Sequence, residues 1–143
     1  MKKIVSFLIL LTLLMGSSHG TSHSGSGSGA EDVAVSAARA WLSLIDDGHY
    51  SRSWEEASPL FQGAVSEGNW KASLDGIRKP LGKLVFRKIK AVKHFTELPG
   101  APDGQYVVME FRASFVKKKS AIETVTFALE KDGLWKAAGY FIK

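Results

Sequence analysis

The sequence predicts an α+β domain, with three N-terminal helices packed on one face of a four-stranded antiparallel meander. Apolar residues recur at helical spacing from Ala34 to Ile77, and the period changes to two after Gly82. Proline and glycine turn chemistry separates the segments. Helices first and strands second place the helices together against one sheet face.

The first helix begins at Glu31, where two acids suit a helix N-terminus, and carries Ala34, Ala37, Ala38, Trp41, Leu44 and Ile45 until Gly48 stops it. A short second helix spans Ser53 to Ser58. Ser53 and Glu56 have capping-box spacing, Trp54 and Ala57 share a side, and Pro59 ends the element. The third begins near Ser66, bears Trp70, Leu74 and Ile77 on one stripe, and stops at Pro80.

Leu84 to Phe95 reads as an edge strand, because Lys83, Lys88, Lys90 and Lys93 discourage pairing with another molecule. In the next strand Val107, Met109, Phe111, Ala113 and Phe115 alternate with Val108, Glu110, Arg112 and Ser114, a half-buried pattern. Ile122 to Glu130 sets Val125, Phe127 and Leu129 on one face, and Leu134 to Ile142 forms the last strand. Pro102-Asp103-Gly104 and Asp132-Gly133 are turns, since proline presets φ and glycine accepts positive φ. A three-residue Lys131-Asp132-Gly133 loop sets Leu129 opposite Trp135 and Val125 opposite Gly139, keeping apolar with apolar.

Residues 1–20 read as a secretory signal peptide: Lys2 and Lys3, an apolar stretch, then small residues. That stretch is shorter than the roughly 20 residues a spanning helix needs, so no stable membrane anchor is expected after cleavage. Small residues allow cleavage after Gly20 or Ala30, and Gly20 better fits the usual leader length. Residues 21–30 form a Gly/Ser tether and residues 31–143 the single domain. The chain has no cysteine, which removes disulfides, thiolate metal sites and a lipid-anchored lipoprotein. The expected location is therefore periplasmic or secreted. The formal charge is +5, and without Lys2 and Lys3 it is 17 basic against 14 acidic residues, or +3, a weak preference for anionic surfaces.

Several strings together carry a resemblance: Trp54-x-x-Ala57-Ser58, Trp70, Arg78-x-Pro80-Leu81-Gly82, the run from Leu98 to Val108, Glu123-x-Val125 and Gly139-Tyr140-Phe141-Ile142. Over Glu31 to Lys143 the chain resembles the bacterial family called domain of unknown function 4019, most specifically at Leu98-Pro99-Gly100-Ala101-Pro102-Asp103-Gly104-x-Tyr106-Val107-Val108. The resemblance implies an exported protein with a cone-like fold similar to nuclear transport factor 2 and the ketosteroid isomerase-like group. It brings no activity and no catalytic residues. Phe86 departs from the pattern, standing where a serine is common before Arg87.

Glu123 is the one catalytic candidate, because it shares parity with Val125 and Phe127 and so faces the helix-covered side. A carboxylate there suits a general base, as in isomerase-like relatives of the implied fold, or an ion pair with Arg78. The ion pair is preferred, since catalysis needs a second placed polar group. Trp41, Trp54, Trp70, Arg78, Glu123, Trp135 and Tyr140 are the pocket candidates, with core packing the main job of the tryptophans. Pro99, Gly100, Pro102, Asp103, Gly104 and Tyr106 form either a rigid lip over a cavity or a hairpin corner, and the corner is preferred. No lysine or helix start follows them, so this is not a phosphate loop.

Asp46-Asp47-Gly48-His49-Tyr50 reads as a helix stop and turn rather than a metal site, and His94 as a solvated edge residue. No metal and no cofactor is expected in the domain. One conditional exception is a free amine at Thr21, which with Ser22 and His23 would make a square-planar nitrogen set for Cu(II) or Ni(II). Lys83, Arg87, Lys88, Lys90 and Lys93 with Lys117, Lys118 and Lys119 are candidates for an anion-binding patch or for ordinary solvated charges. Nucleic acid is not an expected partner. The leading expectation is an exported non-enzymatic binding module for a small molecule or an envelope protein. The alternatives are a small isomerase, dehydratase or hydrolase using Glu123, and an envelope-surface protein that binds anionic lipid or polymer.

Overall fold

The computed structural model of the chain describes residues 27–143. The leader, most of the tether and the Thr21-Ser22-His23 set lie outside the described residues. Helix α1 runs Gly27–Asp46, so it begins four positions before Glu31. It is followed by α2 (Tyr50–Glu55), α3 (Pro59–Ala64), α4 (Glu67–Ile77) and a 3₁₀ turn, Lys79–Leu81. Strands β1 (Leu84–Phe95), β2 (Tyr106–Phe115), β3 (Lys118–Leu129) and β4 (Trp135–Ile142) form one antiparallel sheet in the order β1-β2-β3-β4. The α+β class and the meander match expectation, while the helical layer has one more α-helix than predicted.

The extra helix comes from Pro59, which starts an element instead of ending one. Ser58 is extended and accepts a hydrogen bond from Phe61 N at 3.2 Å, capping α3, and Pro59 supplies a first-turn residue whose missing N–H costs nothing. Ser53 is not a cap. It lies inside α2, fully buried, and its hydroxyl donates to Tyr50 O at 2.6 Å. Ser66 does cap α4, accepting from Asn69 N at 3.2 Å.

Helix α1 crosses all four strands. Between the layers the rings of Trp41, Trp70, Phe61, Phe127 and Tyr140 meet one another, with Trp41 and Trp70 stacked at 6.0 Å and Phe61 edge-on to Trp70 at 4.9 Å. These aromatics and Leu42, Ile45, Leu74, Met109, Phe111 and Val125 make the main core.

The sheet has four register shifts, at Val85 and Lys90 in β1, at the β2–β3 hairpin and at Ala138 in β4, and those in β1 and β4 decide which side chains of the edge strands enter that core. In β1 Leu84 pairs with Phe115 but Phe86 pairs with Ser114, so Val85 is an extra residue. In β4 Phe127 faces Ala137 but Thr126 faces Gly139, so Ala138 is extra. Each extra residue reverses the alternation beyond it, turning Arg87 and Tyr140 to the helix-covered face. The predicted pairing of Leu129 with Trp135 is present, but Val125 lies opposite Tyr140 instead of Gly139 because of the Ala138 bulge.

Gly133 closes the β3–β4 turn at φ +83°, which an L side chain adopts only with strain, whereas a Cβ at Gly76 in α4 meets nothing within 4 Å. Gly133→Ala is therefore expected to destabilise by about 1 kcal/mol and Gly76→Ala to stabilise by about 0.5–1 kcal/mol in urea unfolding. Equal effects of one sign would contradict the assignment of both positions.

Candidate functional site

Glu123 is brought inside by its place on β3, with its side chain fully buried. Arg87 Nε donates to its Oε1 at 2.7 Å, and the Tyr140 hydroxyl donates to its Oε2. The other two nitrogens of the same guanidinium donate to Asp46 at 2.7 and 2.9 Å, at the C-terminal end of α1. Arg78, one residue past α4, completes the cluster, donating to Asp46 Oδ1 at 3.0 Å and to Gly82 O at 2.8 Å while its guanidinium lies 4.2 Å from the Phe115 ring centroid. Two cations and two anions thus cancel within one cluster, which is how buried charges are tolerated.

The expected pairing of Glu123 with Arg78 is corrected by this geometry. Arg87, read from the sequence as part of an exposed lysine-rich strand, is the partner, because the Val85 bulge rotates it inward. Asp46, read as part of a helix stop, joins both arginines. Arg87 keeps its charge more firmly than usual: burial works against it, but hydrogen bonds to Asp46 and Glu123 outweigh that cost. The Tyr140 phenol is pushed well above its ordinary 10.0, first by burial and then by the Glu123 charge beside it.

The pocket-candidate tryptophans divide. Trp41 and Trp70 are buried, and their indole N–H groups donate to Ser53 O at 2.7 Å and Ser53 Oγ at 2.9 Å. Trp54 is half-buried and donates to Val65 O at 2.8 Å, and Trp135 is half-buried at the start of β4. These donors are spent on backbone and serine within the helical layer, while the rings of Trp41 and Trp70 pack across to Phe127 and Tyr140 of the sheet.

A family model described as Protein of unknown function (DUF4019) matches residues 37–140. The chain belongs to that family. A comparison with curated proteins finds no match. The DUF4019 span contains every member of the ion cluster, from Asp46 to Tyr140.

In this DUF4019 chain the loop candidates form a folded corner. Gly104 N donates to Thr96 O at 3.0 Å, Gly100 has φ +78°, and the buried Tyr106 donates its hydroxyl to Pro102 O. Leu98 packs with Tyr106, Val108, Ala128 and Ala138 on the sheet face away from α1, where Leu60 of α3 reaches the same cluster, leaving Pro99, Gly100, Pro102, Asp103 and Gly104 exposed. Open clefts among the described residues lie elsewhere. One, about 820 Å³, runs beside Asp46–Arg52 and Lys79–Lys83 and mixes acids with bases. Another, about 440 Å³, lies on the helix-free face among Phe86, Lys88, Lys90, Arg112, Lys119 and Ile122. Of the pocket candidates Arg78 lines the first, together with Asp46, whereas Glu123, Tyr140, Trp41 and Trp70 line neither. Among the described residues no group of three or more His, Asp or Glu converges as a metal site, and His94 stands exposed on β1.

Arg112 is the groove residue that sequence reading missed. It sits opposite Lys88 on β1 and Ile122 on β3, so one row across three strands holds two cations and an aliphatic side chain. Its outward parity in β2 was the available signal.

Removing Arg87 leaves Glu123 buried without a cation, and Arg87→Met is expected to cost about 3–5 kcal/mol in urea unfolding. Adding Glu123→Gln to Arg87→Met recovers part of that loss; a double variant no more stable than the single would contradict the pairing. Tyr140→Phe costs about 1.5–3 kcal/mol at neutral pH. Because the folded phenol titrates above 10.0, its contribution is complete below that pH and is lost as pH rises through the folded value, so the gap between the two proteins narrows in alkali. A gap that stays constant through the alkaline range would contradict the burial of the phenol against Glu123.

Proposed function

We propose that this chain is an exported, non-enzymatic binding module whose helix-free sheet face holds an anionic component of the cell envelope. The observation that carries the reading is the row Lys88–Arg112–Ile122. Like charges placed directly opposite each other on adjacent strands are destabilising, and no carboxylate lies within ion-pair distance of Lys88 or Arg112 among the described residues. Lys119 adds a third such cation, and Lys90 is shared with Glu110 at 3.2 Å. Phe86, 46% exposed, and Ile122 supply apolar walls, so the groove suits a phosphate- or carboxylate-bearing ligand with an apolar body.

The apolar leader and the absence of cysteine support export to the periplasm or beyond. We assign the helices-then-meander order to the cone-like group that includes nuclear transport factor 2. Glu123 contributes to this reading as a structural ion, since Arg87 and Tyr140 occupy its two oxygens and it lines neither cleft.

Isothermal titration of the processed protein with tripolyphosphate, a compact soluble anion, tests the reading at low ionic strength. Binding is expected, and Lys88→Ser or Arg112→Ser each weakens it about tenfold, the loss of one charge-assisted contact. Affinity unchanged in the double variant, or no binding at all, would contradict it.

A further inference from the structure

The two ends of the meander differ in charge. The end formed by the Thr96–Gln105 corner and the β3–β4 turn carries Glu97, Asp103, Glu130 and Asp132 against Lys131 and Lys136, the latter 3.7 Å from Asp132. The opposite end, at the β2–β3 hairpin, carries Lys83, Lys117, Lys118 and Lys119, none paired with a carboxylate among the described residues. The hairpin has a two-residue turn, Val116-Lys117, because Phe115 pairs with Lys118. Its backbone is tied to the segment after the 3₁₀ turn: Val116 N donates to Lys83 O and Lys117 N to Leu81 O, each at 2.9 Å. Lys83 is thereby held beside Val116.

Aliphatic side chains sit in the same place. Val116 is 63% exposed at the tip of the turn, and Val85, the bulged residue of β1 next to this end, is 62% exposed. Val116 has Lys117 on one side and Lys83 across the hydrogen-bonded segment. Aliphatic tips ringed by unpaired lysines suit an interface whose headgroups are anionic and whose next layer is hydrocarbon. The acidic far end orients the molecule so that this end faces an anionic surface.

We propose that the β2–β3 hairpin end docks reversibly on an anionic lipid bilayer, with Val116 entering the headgroup layer and Lys83, Lys117 and Lys119 on lipid phosphates. The proposal deepens the anion-binding reading, because Lys119 borders the groove, and it commits that face to a membrane. Among the described residues no helix is long and apolar enough to cross a bilayer.

Cosedimentation of the processed protein with vesicles of phosphatidylcholine containing phosphatidylglycerol tests it. Partitioning is expected to rise with phosphatidylglycerol and fall with salt. Lys83→Ser and Lys117→Ser each lower it about fivefold, the effect expected of one basic residue near a charged surface. Val116→Ser lowers it several-fold, whereas Leu134→Ser, at an equally exposed aliphatic residue of the acidic end, leaves it unchanged. Val116→Trp gives a second readout, a blue shift of its added fluorescence on contact with vesicles. Equal partitioning to pure phosphatidylcholine, or indifference to Val116→Ser and both lysine variants, would overturn the proposal. Tripolyphosphate binding without vesicle binding would also overturn it while leaving the anion groove intact, and binding to neither would remove both.

Discussion

The structure depends on a carboxylate with no access to water. Glu123 lies at the middle of the sheet, and its charge is tolerable there only because Arg87 and Tyr140 meet its two oxygens. Asp46 then balances Arg87 and draws in Arg78, so one cluster links the end of α1, the exit of α4 and strands β1, β3 and β4. Neither Arg87 nor Tyr140 would reach Glu123 on a regular strand. The Val85 and Ala138 bulges each add one residue and turn these side chains inward, and a further bulge at Lys90 restores the alternation of β1 beyond Arg87.

That arrangement sets the ion cluster apart from the charges proposed to bind a partner. Glu123, Asp46, Arg87 and Tyr140 are engaged with one another, Arg78 Nε is buried without a partner, and the indoles of Trp41 and Trp70 are committed to Ser53. Outside the core, on the helix-free face and the β2–β3 hairpin, Lys88, Arg112, Lys83, Lys117 and Lys119 lack carboxylate partners among the described residues. Only the charges beyond the core are available for the proposed contact with an anionic partner. The corner from Thr96 to Gln105 has a different role: through Leu98 and Tyr106 it covers the far end of the helix-free face and leaves the basic end open.

The layer order was legible because it rests on periodicity, and the edge position of β1 was legible from its lysines. Gly48 and Gly133 announced their turns, and both have positive φ. The extra helix was not legible, because Pro59 reads equally as a stop and as a first-turn residue, and the deciding feature is Ser58 meeting Phe61 N. Parity placed Glu123 inside, since its own strand is regular from Ile122 through Thr126. Parity misplaced Arg87 and Val125's partner, because a bulge leaves no mark that alternation can read when the extra residue is an ordinary valine or alanine. The groove was half legible: Lys88 and Lys90 stood out, but Arg112 joins them only through a cross-strand register.

If the interior is architecture and the helix-free face is the interface, one spectrum shows both. Amide and indole nitrogen-proton correlations of isotope-labelled residues 21–143 would be followed as phosphatidylglycerol nanodiscs are added. The account predicts shifts or broadening at Lys83, Lys88, Arg112 and the Val116–Lys119 hairpin, with the Trp41 and Trp70 indole signals unmoved. Perturbations centred on those indoles and Tyr140, with the hairpin silent, would contradict it.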